Sequence, residues 1–392
     1  MSAAAQYLFR KDFVVTIKAA FGDSSDHRFM RIALRQARLG RGAVEPNPMV
    51  GAVLVKNGRV IARGWHQRFG GPHAEIEVLK KAGNKARGGT LYVTLEPCCH
   101  TGKTGPCTKA IITAGISRVV AAMLDPNPKV CGKGLAALAR AGINVARNVC
   151  RDQAVELNRP FIKWITRKQP YVIAKWAQSL DGCIADRHGR SKWISGDLSR
   201  QRVHALRSRV DAIMVGIGTA LADDPLLTAR PVKMRMLDRI ALRVVLDSEC
   251  RLPLESNLVR TCGQFPVLLV HGNNLNRAAV ARQKLLQKAG IQLMPAARRK
   301  AGSLALRSVL GRLARMGCTN ILVEGGPRLI ASLLRDGLID ETWVFIAPIV
   351  LGDALARHAV ESAATIPLAS AHHISRWETE RLGPDVLIRG WL

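Results

Sequence analysis

The chain has no run of about 18 uninterrupted apolar residues, which excludes a membrane-spanning helix. It lacks a disulfide framework as well: its nine cysteines, an odd number, are scattered over 392 residues. Reduced, mostly buried cysteines point to a cytosol-like compartment, so a cytoplasmic protein is expected. No internal repeat divides the sequence. Acidic residues are scarce, 29 Asp and Glu against 59 Lys and Arg, for a formal charge of +30. Such an excess would suit a phosphate-bearing polymer. The basic residues are nevertheless spread along the whole chain, with local maxima only at 232–243 and 297–300. Diffuse positive charge suits the steering of anionic substrates and dinucleotides, and specific nucleic-acid binding is not expected.

The length is enough for two domains, and a hydrophobic content of 48% indicates real cores. Residues 1–25, an extension with Arg10, Lys11, Lys18 and few acids, suit a weak organelle-targeting segment but lack its Ser and Arg richness and a cleavage site; an extra N-terminal helix or a misplaced start codon fits as well.

The chain does carry a set of metal-ligating side chains. His73-Ala74-Glu75 is followed by Glu96-Pro97-Cys98 and then by Cys107. One imidazole and two thiolates leave a fourth tetrahedral position open for water, the arrangement of a catalytic zinc. The metal lowers the pKa of that water. Glu75 stands two residues from His73, where zinc deaminases place the glutamate that shuttles protons. His-x-Glu alone is common by chance, and cysteines are often small buried apolar residues. The conjunction carries the reading: His73 follows Gly70-Gly71-Pro72, Cys98 follows a strand-like run, and Cys107 follows Pro106 at a helical start. This half therefore reads as a hydrolytic deaminase for an amino-substituted pyrimidine or similar ring.

Periodicity predicts a helix at 26–39 capped by Asp26, and a hairpin of 50–55 and 60–64 about Asn57-Gly58. Strands follow at 90–95, 118–123 and 143–145, and helices at 108–114, 133–141 and 151–166. A hairpin followed by alternating strands and helices implies a three-layer α/β/α domain. Residues 167–170, polar and ending in Pro170, read as a linker. Beyond it, strands are expected at 171–177, 212–215, 243–247, 266–271, 291–294 and 320–324. Helices are expected at 198–210, 275–289, 304–316 and 328–336. The tail, at 341–347, 374–382 and 386–390, reads as antiparallel strands added to a parallel sheet.

Three glycine-bearing segments follow strands of this second half: Ser179-Leu180-Asp181-Gly182, Val215-Gly216-Ile217-Gly218-Thr219 and Val323-Glu324-Gly325-Gly326-Pro327-Arg328. The third turns from strand to helix through two glycines, so a pyrophosphate could approach its backbone and meet free helix-terminal amides. Each alone could be an ordinary tight turn. Their shared place after strands of one sheet favours a crevice at the strand C-terminal ends.

Further motifs run in order from about Asp26 to the end. They are Pro46-Asn47-Pro48-x-Val50-Gly51, Thr94-Leu95-Glu96-Pro97-Cys98-x-His100-x-Gly102-x-Thr104 and Asp125-Pro126-Asn127-Pro128. In the second half they are Trp193-Ile194, Asp223-Asp224-Pro225-x-Leu227-Thr228 and Gly383-Pro384-Asp385-Val386. Together with the zinc set and the glycine segments, they make the chain resemble the bifunctional deaminase/reductases of riboflavin biosynthesis. The resemblance implies an extension (1–25), a cytidine-deaminase-like three-layer α/β/α domain (26–168) and a dihydrofolate-reductase-like α/β domain (169–392). It implies zinc-dependent removal of the 2-amino group from 2,5-diamino-6-ribosylamino-4(3H)-pyrimidinone 5′-phosphate. NADPH-dependent reduction of the ribosyl side chain to ribityl would follow, in a homo-oligomer.

Carried over by motif, His73, Cys98 and Cys107 would bind Zn2+ and Glu75 would be the proton shuttle. Asn47 and His100 would line the deaminase pocket. Ala177, Trp193, Thr219, Asp223, Ser248 and Gly326 would contact NADPH, and Ser191, Arg207, Leu227, Arg230 and Glu324 would face the substrate. Arg207 and Arg230 suit a phosphate as guanidinium forks; without the resemblance each reads as a surface salt bridge. Gly105 stands where the family usually has proline, and Cys99 where a small polar residue is usual. The other reading is a zinc-dependent nucleic-acid base deaminase with an appended α/β domain. Charge favours it but spacing does not: polynucleotide deaminases carry Pro-Cys-x-x-Cys, whereas eight residues separate Cys98 from Cys107 here.

Overall fold

The computed structural model describes residues 24–99, 105–128, 130–230, 240–299, 302–362 and 365–392. The chain divides into two units. One takes in the chain up to Gly40 and from Met49 to Asn158, the other Arg41–Pro48 and Arg159–Leu392. Among the described residues no helix is long and apolar enough to cross a membrane.

The first unit runs α1 (Ser24–Ala37), β1 (Gly51–Lys56), β2 (Arg59–Trp65), α2 (Ala74–Ala82), β3 (Thr90–Val93), α3 (Cys107–Thr113), β4 (Arg118–Ala121), α4 (Lys133–Arg140), β5 (Asn144–Arg147) and α5 (Arg151–Leu157). Its five-stranded sheet is ordered β2-β1-β3-β4-β5. Asn57 and Gly58 both take positive φ, 51° and 71°, as the expected two-residue hairpin turn requires. Side chains alternate across the sheet. Leu54, Leu91, Val93 and Val119 pack with Val78, Ile111 and Leu138 of α2, α3 and α4. Tyr92 points the other way, toward α1, its ring 5.3 Å from that of Phe29. The expected three layers are present.

Asp26 is not the cap that the sequence suggests. The helix begins at Ser24, and Asp26 lies in its first turn, 3% exposed. It accepts from Tyr92 Oη at 2.7 Å and from both terminal nitrogens of Arg118 at 2.8 Å. The predicted helix at 151–166 is also two helices. Pro160 lacks an N–H and disfavours helical geometry before it. Asn158 turns its side chain to the backbone of Met49, accepting from its N–H at 2.8 Å and donating to its carbonyl at 3.0 Å.

The second unit runs α6 (Arg159–Arg167), β6 (Tyr171–Gln178), β7 (Cys183–Ala185), α7 (Asp197–Arg207), β8 (Ala212–Gly216), α8 (Ile217–Asp223), β9 (Leu242–Leu246), α9 (Asn257–Arg260), β10 (Val267–Gly272), α10 (Arg277–Lys288), β11 (Gln292–Ala296), α11 (Leu306–Arg315), β12 (Asn320–Val323), α12 (Pro327–Arg335), β13 (Glu341–Ile346), β14 (Arg357–His358), β15 (Arg376–Leu382) and β16 (Asp385–Trp391). Nine strands form one sheet, β11-β10-β9-β8-β12-β6-β13-β16-β15. Strands β11 to β13 are parallel, and β16 and β15 close the edge as an antiparallel pair. The expectation for the tail is corrected at β13: it pairs parallel to β6, because α12 carries the chain back over the sheet as a crossover.

Both faces of the parallel part are covered, which explains its nearly continuous apolar strands. Ile173, Ile213, Val215 and Leu322 face α7 to α10. Val172, Met214, Ile321 and Val323 face α11 and α12. One cation is sealed in. Arg243 is fully buried and donates to the carbonyls of Leu226, Leu258 and Phe265 and to Thr261 Oγ1.

Breaking the Asp26 cluster leaves the Tyr92 hydroxyl and the Arg118 guanidinium without their acceptor. Asp26→Ala is expected to cost the first unit about 3 kcal/mol in denaturant unfolding. A change under about 0.5 kcal/mol would show the cluster to be incidental.

Candidate active sites

In the first unit, three chain segments converge. His73 ends the Gly-Gly-Pro approach to α2, Cys98 lies in the loop after β3, and Cys107 is the first residue of α3. His73 Nδ1 stands 3.2 Å from Cys107 Sγ and 3.6 Å from Cys98 Sγ, and all three ligand atoms lie within 4.8 Å of one another. Zinc bonds of about 2.0–2.3 Å place tetrahedral ligands about 3.4–3.8 Å apart, so the set fits that ion. The electrostatics agree. Cys98 is driven toward thiolate, first by its hydrogen bond with Cys107 against the cost of burial, with His73 assisting. Cys107 is driven up by the same partner and by burial. The thiols therefore hold a proton that a divalent cation would displace.

Glu75, in the first turn of α2, is 3% exposed. Burial raises its affinity for a proton, while the nearby His73 opposes that rise. Such a carboxyl is suited to take up and release a proton. His66, absent from the sequence-based set, also belongs here. Its ring packs edge-on against His73 at 5.5 Å, and Nδ1 donates to Pro72 O at 2.9 Å. Burial lowers its pKa, with the charge of His73 also acting downward against the Pro72 bond. No spacing rule marks it in the sequence. Asn47 lies in the Arg41–Pro48 turn, its N–H donating to Val44 O at 2.9 Å. His100 lies outside the described residues.

In the second unit, the C-terminal ends of β8, β9 and β12 open into a cavity of about 790 Å³. Of the residues expected at a cofactor, Thr219, Asp223, Ser248 and Gly326 line it, as does Ser191 from the substrate set. The Gly325-Gly326 turn is needed at close quarters. A Cβ on Gly325 would lie 2.6 Å from the Leu329 side chain, and one on Gly326 3.2 Å from Thr219 Oγ1. Gly326 caps α12 and Pro327 occupies its first turn, so helix-terminal amides face the cavity. Arg251, Arg328 and Arg357, which sequence reading did not single out, add positive charge to the lining. Ala177, near the end of β6, packs at the margin of the core, and Trp193 is 71% exposed with the Arg200 guanidinium 4.6 Å from its ring. Asp385 fixes the loop between them and α7, accepting from Gly196 N at 2.7 Å and Ser199 Oγ at 2.5 Å.

Glu324 follows β12, and Arg207 ends α7. Their side chains form a two-bonded pair at 2.6 and 2.8 Å, and Arg207 also reaches Thr228 O at 3.1 Å. Burial alone would raise Glu324, but Arg207, then Lys175, hold it down to about 2. Lys175, on β6, is another residue that sequence reading missed. Burial lowers its pKa, with Glu324 and Arg207 acting in opposite directions. Leu227 is buried, with a φ of 51°. Arg230 is exposed, its N–H donating to His204 Nδ1 at 3.2 Å.

Comparison with known proteins follows this division. Residues 23–123 match the cytidine and deoxycytidylate deaminase zinc-binding region, and residues 170–388 match the RibD C-terminal domain. The riboflavin biosynthesis protein RibD of Aquifex aeolicus is 40% identical over 363 residues, 93% of this chain and 97% of that protein. Its namesake in Escherichia coli is 38% identical, covering 93% of this chain and 98% of that protein. Among solved structures, Acinetobacter baumannii RibD superposes with a TM-score of 0.83 at 34% identity, covering 94% of this chain and 98% of that one. A Thermotoga maritima diaminohydroxyphosphoribosylaminopyrimidine deaminase/5-amino-6-(5-phosphoribosylamino)uracil reductase superposes with a TM-score of 0.77 at 33% identity, with the same coverage.

The Glu324–Arg207 pair makes stability depend on pH. Because Glu324 is held below its ordinary 4.5, its contribution is present above that value and lost as pH falls through about 2. The stability advantage of wild type over Glu324→Gln should shrink by about 3 kcal/mol across that interval. Denaturant unfolding at stepped pH checks this, and an advantage independent of pH would refute it.

Proposed function

The chain belongs to the RibD family, the bifunctional deaminase/reductases of riboflavin biosynthesis, and from that premise we propose how its own residues divide the two reactions. The deaminase substrate is 2,5-diamino-6-ribosylamino-4(3H)-pyrimidinone 5′-phosphate, and the reductase then uses NADPH to convert the ribosyl group to ribityl. The observation that carries the first assignment is the convergence of His73, Cys98 and Cys107 beside the buried, proton-avid carboxyl of Glu75. Zinc held by those three ligands would supply a water of lowered pKa.

Glu75 takes a proton from the attacking water and returns it to the departing amine, so that C2 exchanges nitrogen for oxygen and ammonia leaves. His66, whose pKa burial lowers, would stand beside the zinc ligands, and Asn47 and His100 would contact the substrate. The reductase needs a hydride from NADPH and a proton from the protein. The cavity at the strand ends supports the cofactor assignment: Gly326 and the start of α12 would hold its phosphates, Thr219, Asp223 and Ser248 line the same cavity, and Ala177 and Trp193 would complete the contacts. Lys175, in the charge field of Glu324 and Arg207, is the proton source at the sugar. Ser191, Leu227 and Arg230 flank the substrate, and Arg207 acts by holding Glu324. Apart from Arg41–Pro48 and α6, which fall in the second unit, the domains keep the extents 26–168 and 169–392, and the enzyme works as a cytoplasmic homo-oligomer.

A mass-spectrometric turnover assay tests the assignment. Glu75→Gln is expected to lower deamination by about 10²–10⁴-fold while leaving NADPH-dependent reduction of the deaminated substrate unchanged. Deamination at the wild-type rate in Glu75→Gln would rule out the proton shuttle.

A further inference from the structure

Glu96 lies two residues ahead of Cys98, and its carboxylate is 3% exposed. It accepts four backbone N–H groups. Oε2 takes those of Asp125 at 3.2 Å and Gly132 at 2.8 Å; Oε1 takes those of Gly134 at 2.9 Å and Leu135 at 3.1 Å. These donors span the loop after β4 and the first turn of α4. Gly134 completes the fit from the opposite side. A Cβ there would stand 2.0 Å from Pro97 O and 3.2 Å from Glu96 Cγ, so α4 lies directly against the peptide that leads into Cys98. Cys98 is tied onward to α3: its Sγ accepts from Cys107 N at 3.4 Å and its carbonyl from Thr108 N at 3.2 Å.

We propose that Glu96 is the positioning residue of the metal centre, locking the Cys98 loop to α4 and thereby setting the distance from Cys98 Sγ to His73 and Cys107. The proposal rests on the reading of those three residues as zinc ligands. A carboxylate is the group this place requires, since two oxygens can each accept two N–H groups. Glutamine has one such oxygen, so two of the four donors lose their partner and face an amide N–H₂ instead. The loop would keep its course but lose its fixed height, and zinc affinity would fall while the distant reductase cavity is untouched.

The test uses the full-length chain. Zinc content is measured for wild type, and zinc affinity is measured by competition with a chromophoric chelator for wild type and Glu96→Gln. Reductase turnover and thermal unfolding are followed in both. Glu96→Gln is expected to bind zinc about 10–100-fold more weakly, with reductase turnover unchanged. Wild-type zinc affinity in a folded Glu96→Gln chain would overturn the positioning role, whatever happened to its melting temperature. A wild-type chain that takes up no zinc would instead overturn the ligand assignment. If Glu96→Gln does not accumulate as folded protein, hydrogen exchange on wild type decides. Zinc is expected to slow exchange at Gly132, Gly134 and Leu135, and equal exchange with and without zinc would refute the coupling.

Discussion

A carboxylate taken out of water must be compensated or protonated, and Glu96, Glu324 and Glu75, each with little access to water, resolve that constraint in three ways. Glu96 is compensated by four backbone N–H groups. Glu324 is compensated by a guanidinium and held near pKa 2. Glu75 has the weakest compensation, and burial pushes it toward the protonated form. On the proposed assignments the same side chain thus serves as a brace, a fixed charge and a proton carrier. The difference lies in which donors the fold brings to it.

Sheet geometry decides which donors those are. In both units, parallel strands end at one edge, and the loops there collect residues far apart in the chain. The first unit brings His73, Cys98 and Cys107 together from two such connections, β2 to α2 and β3 to α3. The second places Glu324 after β12, Arg207 at the end of α7 and Lys175 on β6 around one ion pair. Helices on both faces exclude water from the strands and leave the edge as the open place, which is where the 790 Å³ cavity lies.

Much of this was legible in the sequence because local signals and tertiary structure agree. Asn57-Gly58 fixed the hairpin, and the apolar strands fixed the covered sheet. Where one residue answered to a remote partner, the reading failed. Asp26 looked like a cap, but Tyr92 and Arg118 claim it from strands far along the chain. The helix across Pro160 was drawn through a visible breaker because its apolar spacing continued on both sides. The short elements β7, β14, α8 and α9 carry too few residues to show a period. At the sites, motif residues were visible as motifs, whereas Lys175 and His66 had no spacing rule to mark them. Burial and charge made them notable, and neither can be counted from composition.

The sealed guanidinium of Arg243 changes how the chain's charge should be counted. Its partners are three carbonyls and a hydroxyl, and burial lowers its pKa to about 10. It needs no acid, so it adds to the positive total without a matching negative residue. It is also out of reach of an approaching phosphate as a direct partner. A lysine could not take its place, because a single ammonium cannot reach four oxygens spread across a planar fork. Part of this protein's basicity is therefore an internal fastening between a loop and a helix. A net charge read as a measure of anion attraction overstates the surface by every arginine used in this way.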